Sequence, residues 1–175
     1  MKAPNYFGGI DCDSHQVSLV ILDDKGCYVT GLEVVATPIS DWRSRIMRLG
    51  EELNRQLKTM PMKGATVGIE SALVGPNKNT TMMLVSMGAM ASWIVKDHGA
   101  IIVPVYPVTW QRAILGHISK GKEEIKQWAL QTVPGTDLEH PSHYYDATAI
   151  AWYARMKANE TKSTAKPAKR RTRGS

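Results

Sequence analysis

The chain has 175 residues and 43% hydrophobic content, which suits one globular domain with an ordinary core and leaves little room for a second. No apolar run approaches the ~18 residues that a membrane span needs, and the opening MKAPNYFGGID lacks the apolar core of a secretory signal. The net charge of +6 is concentrated: residues 157–175 carry seven Lys or Arg against the single Glu160, so the whole excess lies at the C-terminal end. That end, NETKSTAKPAKRRTRGS, has almost no large apolar side chains and cannot bury enough surface to fold alone. A domain over 1–157 followed by a basic flexible tail over 158–175 is therefore expected. Such a tail attracts polyanions without regard to their sequence, or serves only as a solubilising or targeting arm. Cys12 and Cys27 have no metal-ligand spacing and are expected as free thiols in a reducing, cytoplasmic compartment.

In chain order, YFGGID (6–11) reads as a strand with small residues at Gly8 and Gly9. QVSLVIL (16–22) gives a second, with Val17, Leu19 and Ile21 alternating against Ser18, Val20 and Leu22, and Asp24, Lys25 and Gly26 make the turn after it. Residues 27–36 form a third strand, and the tight connections predict an antiparallel meander. Ser40 is placed as the N-cap of a helix over 41–58, whose Trp42, Ile46, Leu49, Leu53 and Leu57 recur at helical spacing. ATVGIE (65–70) is a short apolar strand ending in an acid. A helix over 79–97 ends at Gly99, and AIIVPV (100–105) is the fifth strand. Pro107 starts a short helix closed by Gly116, the loop HISKGK leads to a helix over 123–132, and a last helix spans 143–157 behind Pro141 and a Ser142 cap. The expected fold is α/β: a five-stranded mixed sheet in the order 3-2-1-4-5, strands 1 to 3 antiparallel, flanked by helices.

Three acids stand out. Asp11 ends the first strand, Glu70 ends the fourth, and Asp146 lies in the first turns of the last helix. A carboxylate closing an apolar strand is costly unless water, a partner or a cation receives it. In the order 3-2-1-4-5 the first and fourth strands are neighbours, so their terminal acids lie side by side and repel unless a cation sits between them. Acids from three elements meeting at one sheet edge suit hard cations such as Mg²⁺, and two such ions about 3.5–4 Å apart can serve phosphoryl transfer. Each acid alone has an ordinary explanation: a turn former, a surface strand end, a helix-dipole partner.

These segments resemble the RuvC-type Holliday junction resolvases, nucleases of the RNase H-like superfamily. GIDCDSHQVSLVILDDKG is similar to the first motif of that family, ATVGIE to the second and HYYDATAIAWYARM to the third, over roughly residues 5–157. The resemblance implies an RNase H-like fold and an active site of Asp11, Glu70, His143 and Asp146 that binds Mg²⁺, with Mn²⁺ as a possible substitute. It implies a homodimer that hydrolyses phosphodiesters in branched DNA, the four-way junction above all, leaving a 5′-phosphate, in the cytoplasm of a bacterial or phage-infected cell or in another reducing, DNA-containing compartment. His143 and Asp146 stand three apart and share a helix face; His143 is read as a metal ligand or proton donor, or else as a helix-start contact.

Two departures from the family pattern stand beside it. Asp13 occupies a position where the family has a small residue; it either tunes the metal site or makes the hairpin turn, and the turn is preferred. After Glu70 the family often carries an aromatic wedge, whereas here Leu73 is the nearest apolar candidate for contact with DNA. Lys122 aligns with a family lysine that touches DNA near the cut; Lys120, and more weakly Lys78 and Arg112, are further phosphate-contact candidates. The helix rich in Met82, Met83, Met87 and Met90 is read as adaptable core, or as a face that meets a second subunit. Alternatives are an actin-like or Hsp70-like ATPase, which needs a second phosphate loop and about twice the length, another nuclease on the same fold that cuts hybrids or flaps, and a non-catalytic nucleic-acid-binding member of it.

Overall fold

The computed structural model describes residues 5–36, 41–72, 75–137 and 140–164. The elements are β1 (Phe7–Cys12), β2 (Gln16–Leu22), β3 (Tyr28–Val35), α1 (Trp42–Leu57), β4 (Thr66–Glu70), α2 (Lys78–Asp97), β5 (Ile101–Val105), α3 (Pro107–Leu115), α4 (Lys122–Thr132) and α5 (Ser142–Thr164). One sheet runs β3-β2-β1-β4-β5, as expected from the sequence. The first three strands are antiparallel, while β4 pairs parallel with β1 and β5 parallel with β4. No described helix is long and apolar enough to cross a membrane.

The sheet is covered on both faces, which explains why β2 is buried along almost its whole length rather than on alternate residues. Val17, Leu19 and Ile21 pack toward Leu49, Leu53 and Leu57 of α1 and Met87, Ala91 and Val95 of α2. Val20 and Leu22 face the other way, toward Tyr144, Ala147 and Ala151 of α5. Val105, Trp110, Ile125 and Ala129 join α5 residues in a third apolar group that ties α3 and α4 to the same side.

Close approach of α5 to the sheet sets the position of its N-terminal end. A Cβ on Gly9 would overlap the Ala147 carbonyl oxygen and the Ala151 nitrogen and come within 2.9 Å of the Ala151 Cα. Because those atoms are helix backbone, they cannot turn aside as a side-chain tip could. Gly9→Ala is expected to destabilise the protein by about 3 kcal/mol or more, the upper range for overpacking. A urea unfolding midpoint close to that of the parent protein would mean that α5 does not lie this close to β1.

Several element ends differ from the sequence expectation. Asp41, not Ser40, caps α1: its carboxylate accepts hydrogen bonds from the backbone N–H of Arg43 and Ser44, and Ser40 lies outside the described residues. A carboxylate one residue nearer the helix reaches those N–H groups directly. Lys122 is the first residue of α4 rather than a loop residue, and α2, capped by Asn77, begins at Lys78, one residue earlier than expected. α5 continues to Thr164 instead of ending at Lys157. Its extension is supported by the Lys157–Glu160 pair at 2.8 Å and by the Thr161 hydroxyl donating to the Lys157 carbonyl. Residues 165–175, most of the expected tail, lie outside the described residues.

Candidate functional site

Parallel pairing matches Ile10 with Ile69. One step further along each strand come Asp11 and Glu70, so two carboxylates arrive together at the same edge of the sheet. α5 crosses this face and brings His143 and Asp146, one turn apart, over the same edge. Asp11, Glu70 and Asp146 line one pocket with Trp110, Gln111, Ser119, Gly121, Lys122 and Ile125. Asp11, His143 and Asp146 each offer one ligand atom within 4.8 Å of the others. Glu70 stands in the same pocket but outside this tightest group, and its Oε2 accepts a hydrogen bond from the Trp110 indole N–H at 2.8 Å.

The electrostatics follow from the crowding. Asp11 is only 8% exposed, and its charge bears on both neighbouring acids. Burial, and then Asp11, push Glu70 up to about 7, although the Trp110 hydrogen bond works the other way. Burial and Asp11 push Asp146 up to about 6, against the pull of Lys122 and His143. His143 is raised above the usual histidine range, mainly by its hydrogen bond with Asp11 and against its partial burial; its Nδ1 lies 2.6 Å from Asp11 Oδ2. Cys12, next to Asp11, is a half-buried free thiol, raised well above the ordinary thiol range by burial and then by Asp11. It is therefore a poor thiolate nucleophile.

Lys122 reaches into this acid cluster from the start of α4. Its Nζ lies 3.7 Å from Asp146 Oδ2, 3.2 Å from His143 Nε2 and 3.3 Å from the Ser142 hydroxyl. The loop before it is held from both sides. Glu124 accepts the Lys120 backbone N–H, and the Gln111 side chain accepts that of Ser119. Lys120 is exposed and does not line the pocket; Lys78, on the first turn of α2, and Arg112, on α3, are likewise exposed and apart from it. Leu73 lies outside the described residues.

One site residue escapes the reading of the sequence, and a second makes the expected turn while also facing the site. Trp110 is a fully buried α3 residue whose indole holds Glu70, and nothing in its local spacing distinguishes it from core. For Asp13 the sequence favours the turn over a place at the metal site. It does make the turn, but its other oxygen also faces His143, with Oδ2 at 3.4 Å from Nε2. The acid-rich stretch DCD was the available signal.

The donor set suits a divalent cation. Buried carboxylates that raise one another's pKa are held together at a cost that a cation removes, and their oxygens are the hard ligands that Mg²⁺ and Mn²⁺ accept. An imidazole in the same cluster shifts the preference toward Mn²⁺.

Comparison with known proteins identifies the architecture. Thermus thermophilus RuvC in complex with a Holliday junction substrate superposes with a TM-score of 0.70 at 19% identity, over 93% of this chain and 99% of that one. A second Thermus thermophilus RuvC structure gives 0.68 at 19% identity over the same shares. No family model and no curated protein matches the chain. The fold is the RNase H-like one expected from the sequence.

Proposed function

We propose that this chain is a divalent-cation-dependent endonuclease that cuts branched DNA, four-way junctions in particular. The observation that carries the reading is the meeting of Asp11, Glu70, His143 and Asp146 at one edge of an RNase H-like sheet, with Lys122 beside them. The similar Thermus protein, described in complex with a Holliday junction, supports the choice of substrate.

Asp11, Asp146 and His143 would hold the cation, and Glu70 would join through the oxygen that Trp110 leaves free. A bound cation supplies a nucleophilic water near neutral pH and stabilises charge on the scissile phosphate. Lys122 supplies a point charge for a phosphate next to the cut, and DNA entering the site draws its ammonium away from Asp146. The two free cysteines suit a reducing, cytoplasmic setting.

A second copy of the chain completes the reading. On α2, Met82, Val85 and Trp93 are 52%, 52% and 73% exposed and fall along one helical stripe. Large apolar side chains aligned in this way mark an interaction face. Two sites across a two-fold axis would suit paired cuts in a junction. Trp93→Glu is expected to turn a dimer into a monomer in sedimentation experiments; a parent protein that sediments as a monomer would remove the dimer from the proposal.

The direct test is cleavage by the purified protein of labelled four-way junction, linear duplex and RNA–DNA hybrid, each with Mg²⁺, Mn²⁺ or EDTA. Cation-dependent cutting of the junction in preference to the other two is expected. Preference for the hybrid would instead place the chain among hybrid-cutting nucleases of this fold. No cutting under any condition would favour a non-catalytic binding role.

A further inference from the structure

His143 stands between two carboxylates, only one of which belongs to the tight ligand cluster. Its Nδ1 faces Asp11 Oδ2 at 2.6 Å, and its Nε2 faces Asp13 Oδ2 at 3.4 Å. Asp13 is anchored by its other oxygen, which accepts the backbone N–H of His15 at 2.6 Å and of Gln16 at 2.9 Å. The turn thus fixes where the free oxygen points. Lys122 Nζ is the other polar neighbour of the ring, 3.2 Å from Nε2 and 3.5 Å from Nδ1.

A neutral imidazole has one N–H and one lone pair, and only the lone pair can bind a cation. A carboxylate can only accept a hydrogen bond, and an ammonium can only donate one. If Lys122 donates to Nε2, the ring proton is on Nδ1 and the cluster side offers no lone pair. In the cation-free chain the 2.6 Å contact has Nδ1–H donating to Asp11; in the cation-loaded chain, Nε2–H donating to Asp13 would leave the lone pair on Nδ1, beside Asp11.

We propose that Asp13 is a positioning residue that selects the second arrangement and so makes His143 an Nδ1 ligand in the cation-loaded protein. This rests on the reading that the acid cluster holds a divalent cation. Ligating histidines are commonly oriented by a carboxylate on the opposite nitrogen, and loss of that partner lowers metal affinity by about 10–100-fold. Here the partner is supplied by the β1–β2 turn, two residues after Asp11.

Asp13→Asn is the informative substitution. The amide oxygen can still accept the two turn N–H groups, while the NH₂ facing Nε2 can only donate and imposes the wrong tautomer. Mn²⁺ is the probe: affinity is read from free Mn²⁺ by electron paramagnetic resonance, the ligand from ¹⁴N coupling in pulsed spectra, and Mg²⁺ affinity by competition. The parent protein is expected to show imidazole ¹⁴N coupling. Asp13→Asn is expected to lose it, to weaken Mn²⁺ binding about tenfold, and to weaken Mg²⁺ binding less, since a nitrogen ligand matters more to Mn²⁺. In a His143→Ala background Asp13→Asn should cause no further loss.

Absence of ¹⁴N coupling in the parent protein, or its persistence in Asp13→Asn with an unchanged Mn²⁺ to Mg²⁺ ratio, overturns the role of Asp13. In either case, loss of Mn²⁺ binding in Asp11→Asn leaves the cation site standing. Failure of the parent protein to bind Mn²⁺, or unchanged binding in Asp11→Asn, overturns the cation site and the role of Asp13 together.

Discussion

Asp11→Asn should reduce junction cleavage by about 10³-fold or more, the equivalent of at least about 4 kcal/mol of transition-state stabilisation, while four-way junction binding stays within a few-fold of the parent protein. Asp11 is the hub of the site: it faces His143 at 2.6 Å and its charge bears on both Glu70 and Asp146. Asparagine keeps the shape of a side chain that is 8% exposed, so the fold is preserved and only the charge is lost. DNA binding depends on phosphate contacts from basic groups, which this change leaves in place. Lys122→Ala should show the opposite pattern, with weaker junction binding and a salt dependence shallower by about one counterion. Cleavage and gel-shift measurements on the same samples separate the two. Cleavage by Asp11→Asn at the parent rate would remove the acid cluster from the chemistry.

Glu70→Gln should stabilise the cation-free protein at pH 8 and leave it unchanged near pH 4. The sign follows from the direction of the shift. Glu70 sits at about 7 in the folded chain against an ordinary 4.5. Below pH 4.5 it is protonated in both states and contributes nothing. As pH rises toward 7 the unfolded chain releases its proton first, so the folded state loses stability through this window and the penalty is complete above it. Each unit is worth about 1.4 kcal/mol, so the substitution should gain on the order of 1–3 kcal/mol at pH 8. Asp146→Asn acts in the same sense over a lower window, since Asp146 sits at about 6 against 3.8. The two gains should not add, because both acids interact with Asp11. Glutamine can still accept the Trp110 hydrogen bond, so packing around it is retained. Mg²⁺ should raise the melting temperature of the parent protein more at pH 8 than at pH 5, by binding the charges that repel. Thermal melts of both proteins in EDTA from pH 4 to 8 provide the check. A Glu70→Gln variant less stable than its parent at pH 8 would mean that Glu70 is not held as a strained charge.

Stability and activity therefore oppose each other at this edge of the sheet. The same repulsion that destabilises the cation-free chain creates the affinity for a cation, and neutralising any one acid relieves the first by giving up the second. Trp110 moderates the conflict at Glu70. Its N–H pulls the carboxylate back toward its ordinary range and holds one oxygen, leaving the other for the cluster.

Local pattern carried the strands, the helix faces and the three acids. Strand periodicity over 16–22 and a carboxylate at the end of an apolar strand are consequences of burial acting on neighbouring residues, and so are visible in one dimension. Helix ends were less legible, as at Asp41 and Lys122, because capping depends on which side chain reaches the first free N–H groups. What no local pattern could carry is the pairing of individual side chains across the chain. The hydrogen bond from Trp110 to Glu70 joins residues 40 apart, and that between His143 and Asp11 joins residues 132 apart. Asp13 was legible as a turn former because a turn is local; its second role exists only because α5 lays His143 over the hairpin. The sequence alone thus determined which residue types close each strand and where the core faces lie. Tertiary structure alone decided which nitrogen meets which carboxylate, since contacts of a few ångströms depend on how close the helix comes to the sheet.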